Sequence, residues 1–199
     1  MSNSSDTIKR VYELIESIKS LYRNSVNYGG DVSAEVRNAL VLLDTIPPLT
    51  GTFSESGHPI TKFIAHALKA GESSHHDLIE AIRPVIDSLP WKYNYPVRED
   101  APSLGNTIAF AEIIGPEAPF VSNRVCLGLT LIAPHTLYPA HHHPAVELYY
   151  TVAGNARWST DTSVTQNPPG RFILHPSNII HSMETGDEPL LAVYAWTGN

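Results

Sequence analysis

The chain has 199 residues, 42% of them apolar, and carries 13 Lys and Arg against 20 Asp and Glu for a formal charge of −7. That length and apolar content support one well-buried core, or a core with a smaller appendage, and argue against a disordered or fibrous protein. The acidic balance, with no run of basic residues, removes the positive stripe that a nucleic-acid backbone requires.

The opening stretch MSNSSDTIKR passes straight into an amphipathic pattern and lacks the charged, apolar and small-residue order of a secretion signal. No apolar run approaches the roughly 20 residues of a membrane span. A cytoplasmic protein without a membrane partner is therefore expected. From Ile8 the apolar residues Val11, Leu14, Ile15, Ile18, Leu21 and Tyr22 recur at three and four, which predicts a helix closed by Asn27 to Gly30. A second helix is expected from about Ser33 to the Pro47-Pro48 pair. A third, ITKFIAHALKAG, ends at Gly71 with Lys69 in its last turn, and a fourth opens near Ser74 and carries Leu78, Ile79, Ile82 and Val85, with a kink expected at Pro84. His58, His66, His75 and His76 in this half have no carboxylate or partner histidine at ligand spacing. They read as core or surface residues, with His75 and His76 facing solvent in a first helical turn.

After Pro90 the chain changes character. Segments rich in Val, Ile, Thr, Tyr and Phe, namely NTIAFAEII, RVCLGLTLIA, VELYYTVAG, NARWSTD, GRFILHP and LLAVYAWTG, are separated by Gly, Pro and Asn. This spacing predicts a small all-β barrel or sandwich. Residues 1–90 then form a helical subdomain of about four helices that covers a β-domain over 91–199 or helps it pair into a homodimer. Cys126, the single cysteine, excludes an intrachain disulfide and reads as a small buried hydrophobe.

The stretch YPAHHHPAVELYYTVAG concentrates the metal-binding chemistry. On one extended strand His141, His143, Glu147 and Tyr149 share a side, with Val146 and Leu148 on the other, provided Pro144 keeps the phase. Buried without partners, such groups cost about 1–3 kcal/mol each, which a divalent cation would offset. In GRFILHPSNIIHSM, Gly170 opens a strand, Pro176 and Asn178 turn the chain, and His181 begins a strand from which it can reach back to the first cluster. Two histidines and a carboxylate on one face of a metal leave positions open for substrate.

These two stretches resemble the paired motifs of the cupin superfamily, a β-barrel of the double-stranded β-helix type. His141, His143, Glu147 and Gly154 fit the first motif, and Gly170, Pro176 and His181 fit the second. Asn178 replaces an internal glycine, which it can do because Asn tolerates the left-handed conformation. His135 stands where a further glycine is expected. The helical front, the Tyr-Pro-x-His-His-His-Pro-x-x-Glu-x-Tyr run, the lone His181 and a late tryptophan make the chain similar to the cupin-type dimethylsulfoniopropionate (DMSP) lyases.

That resemblance implies one divalent metal ion (zinc, iron(II), manganese, cobalt or nickel) on His143, Glu147 and His181, with Tyr149 near enough to be a fourth ligand. His141 is expected to line the substrate pocket. It also implies a small zwitterionic substrate, cleaved to dimethyl sulfide and acrylate by β-elimination. Tyr138 and Tyr149 are the candidate catalytic bases. Tyr138 is assigned the role, because a phenolate bound to metal loses basicity. Trp196 is expected to bind the sulfonium, with Tyr194 set aside by strand parity and Trp91 and Trp158 read as packing residues. A helical lid over the barrel mouth would keep water from the carbanion-like centre. The alternatives are another metal-dependent cupin enzyme, such as a small-acid or thiol dioxygenase, and a cupin that binds a small ligand without chemistry.

Overall fold

The computed structural model describes residues 4–53 and 56–198. The first helix, α1 (Ser4–Asn24), buries Val11, Leu14, Ile15, Ile18 and Tyr22 completely, as the three-and-four periodicity requires. The second, α2 (Gly30–Leu42), starts three residues earlier than expected. Gly29 and Gly30 take positive φ, and the Gly29 amide donates to Ser33 Oγ at 2.7 Å, which lets the chain turn sooner. A 3-10 turn (Pro59–Phe63) leads into α3 (Ile64–Gly71), with the His58 ring accepting from the Ile60 amide as its cap. The fourth helix, α4 (His76–Ile82), stops before Pro84 rather than kinking through it. A short α5 (Leu104–Thr107) lies within the second half.

The strands are β1 (Trp91–Lys92), β2 (Ile108–Gly115), β3 (Phe120–Val121), β4 (Val125–Ile132), β5 (Leu137–His141), β6 (Val146–Ala153), β7 (Ala156–Thr160), β8 (Val164–Asn167), β9 (Phe172–His175), β10 (His181–Thr185) and β11 (Leu190–Thr197). They form a seven-stranded sheet in the order β1-β2-β4-β11-β6-β9, with β3 beside β2, and a four-stranded sheet in the order β5-β10-β7-β8. The fold is a cupin, with one departure from the expected barrel: among the described residues no ladder joins the two sheets, so they face each other as an open sandwich.

Every residue of β4, and all of β11 except Trp196, is buried, because the large sheet is covered on both faces. Its outer face joins Leu127, Leu129, Leu148, Val152, Val193 and Ala195 to the buried face of α1 and to α3 and α4 in one apolar cluster. The helices therefore cover the back of the sheet. The inner face joins Phe110, Cys126, Tyr149, Ile173 and Tyr194 to Tyr138, Trp158 and Met183 of the small sheet in a second cluster. Cys126 is buried there, as expected. The mouth is closed in part by the segment after β1. There Tyr95 meets both Tyr93 and Phe110 edge-on, at 5.4 and 5.8 Å between ring centroids.

Candidate active site

Register builds the inner face in rows. Cys126, Trp196, Glu147 and His175 stand opposite one another across β4, β11, β6 and β9, and Glu112, Gly128, Tyr194, Tyr149 and Ile173 form the next row from β2 to β9. Residues of one row share a face, so Glu147 has Trp196 on one side and His175 on the other. Trp196 Nε1 donates to Glu147 Oε1 at 2.5 Å, and His175 Nδ1 donates to Glu147 Oε2 at 3.2 Å.

The remaining imidazoles arrive from the small sheet and the turn beside it. His141 ends β5, directly opposite His181 at the start of β10. His143 lies in the turn that carries the chain from one sheet to the other. The expectation of a single strand bearing His141, His143, Glu147 and Tyr149 is thus corrected: the phase breaks at Pro144, and the residues meet because the chain crosses between sheets. Tyr138 and Tyr149 likewise stand on different strands of different sheets.

Asn178 and His135 are the non-glycine residues of positive φ among those described, at 59° and 53°. They occupy the two motif positions where glycine is replaced. The backbone turn has been kept without the glycine, and Asn178 is held by its amide donating to the His143 carbonyl at 2.9 Å. That bond ties the turn before β10 to the histidine run.

The ring nitrogens show what the cluster is built to hold. Nδ1 of His141 donates to the Pro139 carbonyl at 2.9 Å, Nδ1 of His143 to the Ala145 carbonyl at 3.1 Å, and Nδ1 of His181 to the Ile179 carbonyl at 2.9 Å. A carbonyl has no proton to give, so each Nδ1 carries the hydrogen, and each ring in its neutral form presents a bare lone pair at Nε2. The Nε2 atoms of His143 and His181 lie 3.5 and 3.3 Å from Glu147 Oε2. They are buried without a hydrogen-bond partner, as is Nε2 of His175. Lone pairs facing a carboxylate oxygen repel unless positive charge sits between them. Fixing Nδ1 on a backbone carbonyl is also how metal-binding imidazoles are oriented.

Ligand atoms of His141, His143 and His181 lie within 4.8 Å of one another, as do those of Glu147, His175 and His181. Among the described residues these are the groups of that kind, and the helical half contributes none. The donor set therefore fits a metal ion of the imidazole-carboxylate class.

Electrostatics agree with that fit. In the metal-free protein burial works to raise the Glu147 carboxyl, but the surrounding imidazoles of His143, His175 and His181 outweigh it and hold it well below the usual carboxylate range. Burial pushes His141 down to about 4, so it is neutral at pH 7 and able to donate its lone pair. Burial first, and the negative Glu147 among the further causes, raise both Tyr138 and Tyr149 above the ordinary phenol range.

Against this geometry the known relatives can be placed. The sequence profile of the DMSP lyase family matches residues 43–192. The chain belongs to the DMSP lyase family. Over 194 residues it is 33% identical to a Cereibacter sphaeroides protein provisionally named dimethylsulfoniopropionate lyase DddL, spanning 94% of this chain and 81% of that one. It is 28% identical over 110 residues to dimethylsulfoniopropionate lyase DddQ of Ruegeria pomeroyi, spanning 55% of each. The crystal structure of DddQ from that organism shares the fold at a TM-score of 0.69 and 20% identity, over 94% of this chain and 92% of that one. A chain from the crystal structures of the DMSP lyases RdDddP and RnDddQII does so at 0.77 and 20%, over 96% and 94%.

In this family member the expected site residues converge. The rings of His141 and His181 lie 4.3 Å apart, those of His143 and His181 5.1 Å, and Tyr138 stacks on His141 at 4.1 Å. Trp196 stands 4.8 Å from His143. Tyr194 was set aside by parity, and that is overturned: it is two residues from Trp196, shares its face, and lies 6.0 Å from it. Trp91 packs as expected, its indole donating to the Ile86 carbonyl. Trp158 is buried in the site wall, 5.0 Å from Tyr149 and 5.6 Å from His175. His75 does not face solvent alone; its ring meets Tyr150 at 5.3 Å and its Nε2 is buried.

Sequence reasoning missed His175, which is 1% exposed and stacks on His181 at 4.0 Å. Its signal was present in FILHP: the last residue of a strand next to the Glu147 strand falls on the Glu147 row once the register is known. Tyr95, Phe110 and Glu112 carried no such signal.

Proposed function

We propose that this protein cleaves dimethylsulfoniopropionate to dimethyl sulfide and acrylate by metal-dependent, base-catalysed β-elimination. One observation carries the reading beyond family membership: buried imidazole nitrogens without hydrogen-bond partners converge on Glu147 among the rings of Tyr138, Tyr149 and Trp196. The ligands are His143, Glu147 and His181, and the position of His141 beside them favours a fourth ligand over a pocket lining. Tyr149, whose phenol is hydrogen-bonded to Glu147, steadies that carboxylate or completes the coordination.

When bound, a divalent cation supplies positive charge to the substrate carboxylate, to the charge that builds at the adjacent carbon and to the neighbouring phenols. The protein does the rest. Tyr138 is the base: it stacks on His141 at the site edge and, as phenolate, takes the proton next to the substrate carboxylate. The C–H electron pair becomes the carbon–carbon double bond of acrylate. The C–S pair leaves with dimethyl sulfide. Because burial keeps Tyr138 protonated in the metal-free protein, the base is competent only in the loaded site.

Residues 1–90 serve in this reading as a helical layer that stiffens the large sheet from behind, while Tyr93 and Tyr95 narrow the mouth. Among the described residues no helix is long and apolar enough to cross a membrane. The deciding experiment incubates the purified protein with dimethylsulfoniopropionate in air, without oxygen and with a chelator. Equal amounts of dimethyl sulfide and acrylate are expected with and without oxygen, and neither after chelation. Oxygen consumption coupled to product would replace the lyase by a dioxygenase. Metal analysis of the active protein identifies the ion.

A further inference from the structure

Beside the metal cluster lies a second chamber, about 50 Å³ in volume, whose walls include Tyr95, Phe110, Glu112, Tyr194 and Trp196. Ring centroids run Tyr95 to Phe110 at 5.8 Å, Phe110 to Tyr194 at 5.8 Å and Tyr194 to Trp196 at 6.0 Å, so four aromatic rings form a continuous wall. Two glycines make the space. Gly128 stands in register between Glu112 and Tyr194, and a Cβ there would fall 2.7 Å from the Tyr194 ring. A Cβ on Gly115 would collide with the Glu112 carboxylate. Glu112 Oε1 is buried and has no hydrogen-bond partner. Lys92, at the same chamber, reaches to Glu117 at 3.4 Å rather than to Glu112, whose carboxyl accepts from the Glu117 backbone and from Cys126 and keeps Oε1 free.

We propose that this chamber is a subsite for a methylated onium cation, with Glu112 as its counter-charge. Sulfonium and quaternary ammonium groups have no hydrogen to donate and spread their charge over methyl groups. Ring faces and a carboxylate oxygen left without a hydrogen-bond partner are the surface that suits them. The volume suits a group of a few heavy atoms rather than a whole substrate. Burial pushes the Glu112 carboxyl up, and a cation in the cage would act in the opposite sense. Trp196 belongs to both the chamber and the histidine cluster. It donates to Glu147 on one side and walls the cage on the other, so the carboxylate and the onium end of one short substrate would lie on either flank of a single indole.

The subsite rests on the lyase reading for its natural occupant, and the test separates the two. Trimethylsulfonium, which has neither a carboxylate nor a proton to eliminate, is titrated into the metal-loaded protein by calorimetry. Millimolar or tighter binding is expected, weakened at least tenfold in Glu112→Gln and in Tyr194→Leu, with folding checked by thermal melting. Tyr95→Leu, at the half-exposed rim, supplies the same loss if either core variant fails to fold. In competition, dimethylsulfoniopropionate should outbind 4-methylpentanoate, in which a neutral CH replaces the sulfonium, by tenfold or more, and Glu112→Gln should remove that preference. Unchanged trimethylsulfonium binding in the variants, or a preference that survives Glu112→Gln, overturns the cage even if dimethyl sulfide is released. Onium binding lost in the variants, together with no dimethyl sulfide from the wild type, keeps the cage and removes the lyase.

Discussion

The two faces of the seven-stranded sheet use the same strands for opposite ends. On the outer face Leu127, Ala195, Leu148 and Leu174 stand in register, and every one packs against apolar neighbours beneath the helices. One residue along, the inner row reads Cys126, Trp196, Glu147 and His175. The outer row lowers the free energy of folding by removing apolar surface from water. The inner row buries a carboxylate and imidazoles whose nitrogens are unsatisfied in the protein alone. A sheet with a period of two can separate these tasks cleanly: stability is supplied by one set of alternate residues, and the strain of a binding site is carried by the other.

If that division is right, substitutions on the inner face should remove activity while the fold persists. Glu147→Gln should strip the metal and cut turnover by roughly a thousandfold, the several kcal/mol that a Lewis acid contributes. Metal content and dimethyl sulfide release measured on the same sample check it, and a metal-replete active variant would break the assignment. Tyr138→Phe should lower kcat by about 10²–10⁴ with metal content unchanged. If Tyr149→Phe shows that loss instead, the two phenols exchange roles.

The outer face should respond in the reverse sense. Leu148 is completely buried, and Leu148→Ala should destabilise by about 2–5 kcal/mol. Denaturant melts measure it, and the fraction still folded should turn over at near the parental rate. An equal loss of kcat per folded molecule would show that the faces are not separable.

Acid should act on the inner face, and also on His58 and His75 of the helical half, which burial likewise holds low. In chelated protein His141 takes up its proton only near pH 4, whereas in the unfolded chain it does so near 6.5. The unfolded state therefore binds more protons between those values, and stability must fall as pH drops from about 6.5 to about 4. Glu147, held low in the folded state, adds a further loss as pH falls below 4.5. Thermal melts of the chelated protein against pH test both, and a flat profile across that window would contradict the burial of these groups. The smallest effect expected is at His135, an exposed residue in the left-handed region. His135→Gly should stabilise by about 0.5–1 kcal/mol, read as a slightly raised melting temperature.

Much of this was legible in the residues. The α1 stripe, the six main strands and the two motif stretches follow from periodicity and spacing, because local backbone geometry dictates which side chains share a face. The site was legible where its residues lie in motifs, as with His141, His143, Glu147 and His181. It was not legible where membership depends on a neighbouring strand. His175 joins the Glu147 row only through its register with that residue, and Glu112 and Tyr194 frame a chamber only because Gly128 stands between them. Parity along one strand was also misleading at Pro144, where the chain leaves one sheet for the other.

By itself, then, the order of residues determined the class of the fold, the family and the kinds of atom offered to a cation, since these depend on short-range pattern and chemical identity. Tertiary structure decided which nitrogens face Glu147, which tautomers they adopt and where a second chamber opens. Those depend on the pairing of distant strands, and pairing is a property of the packed whole.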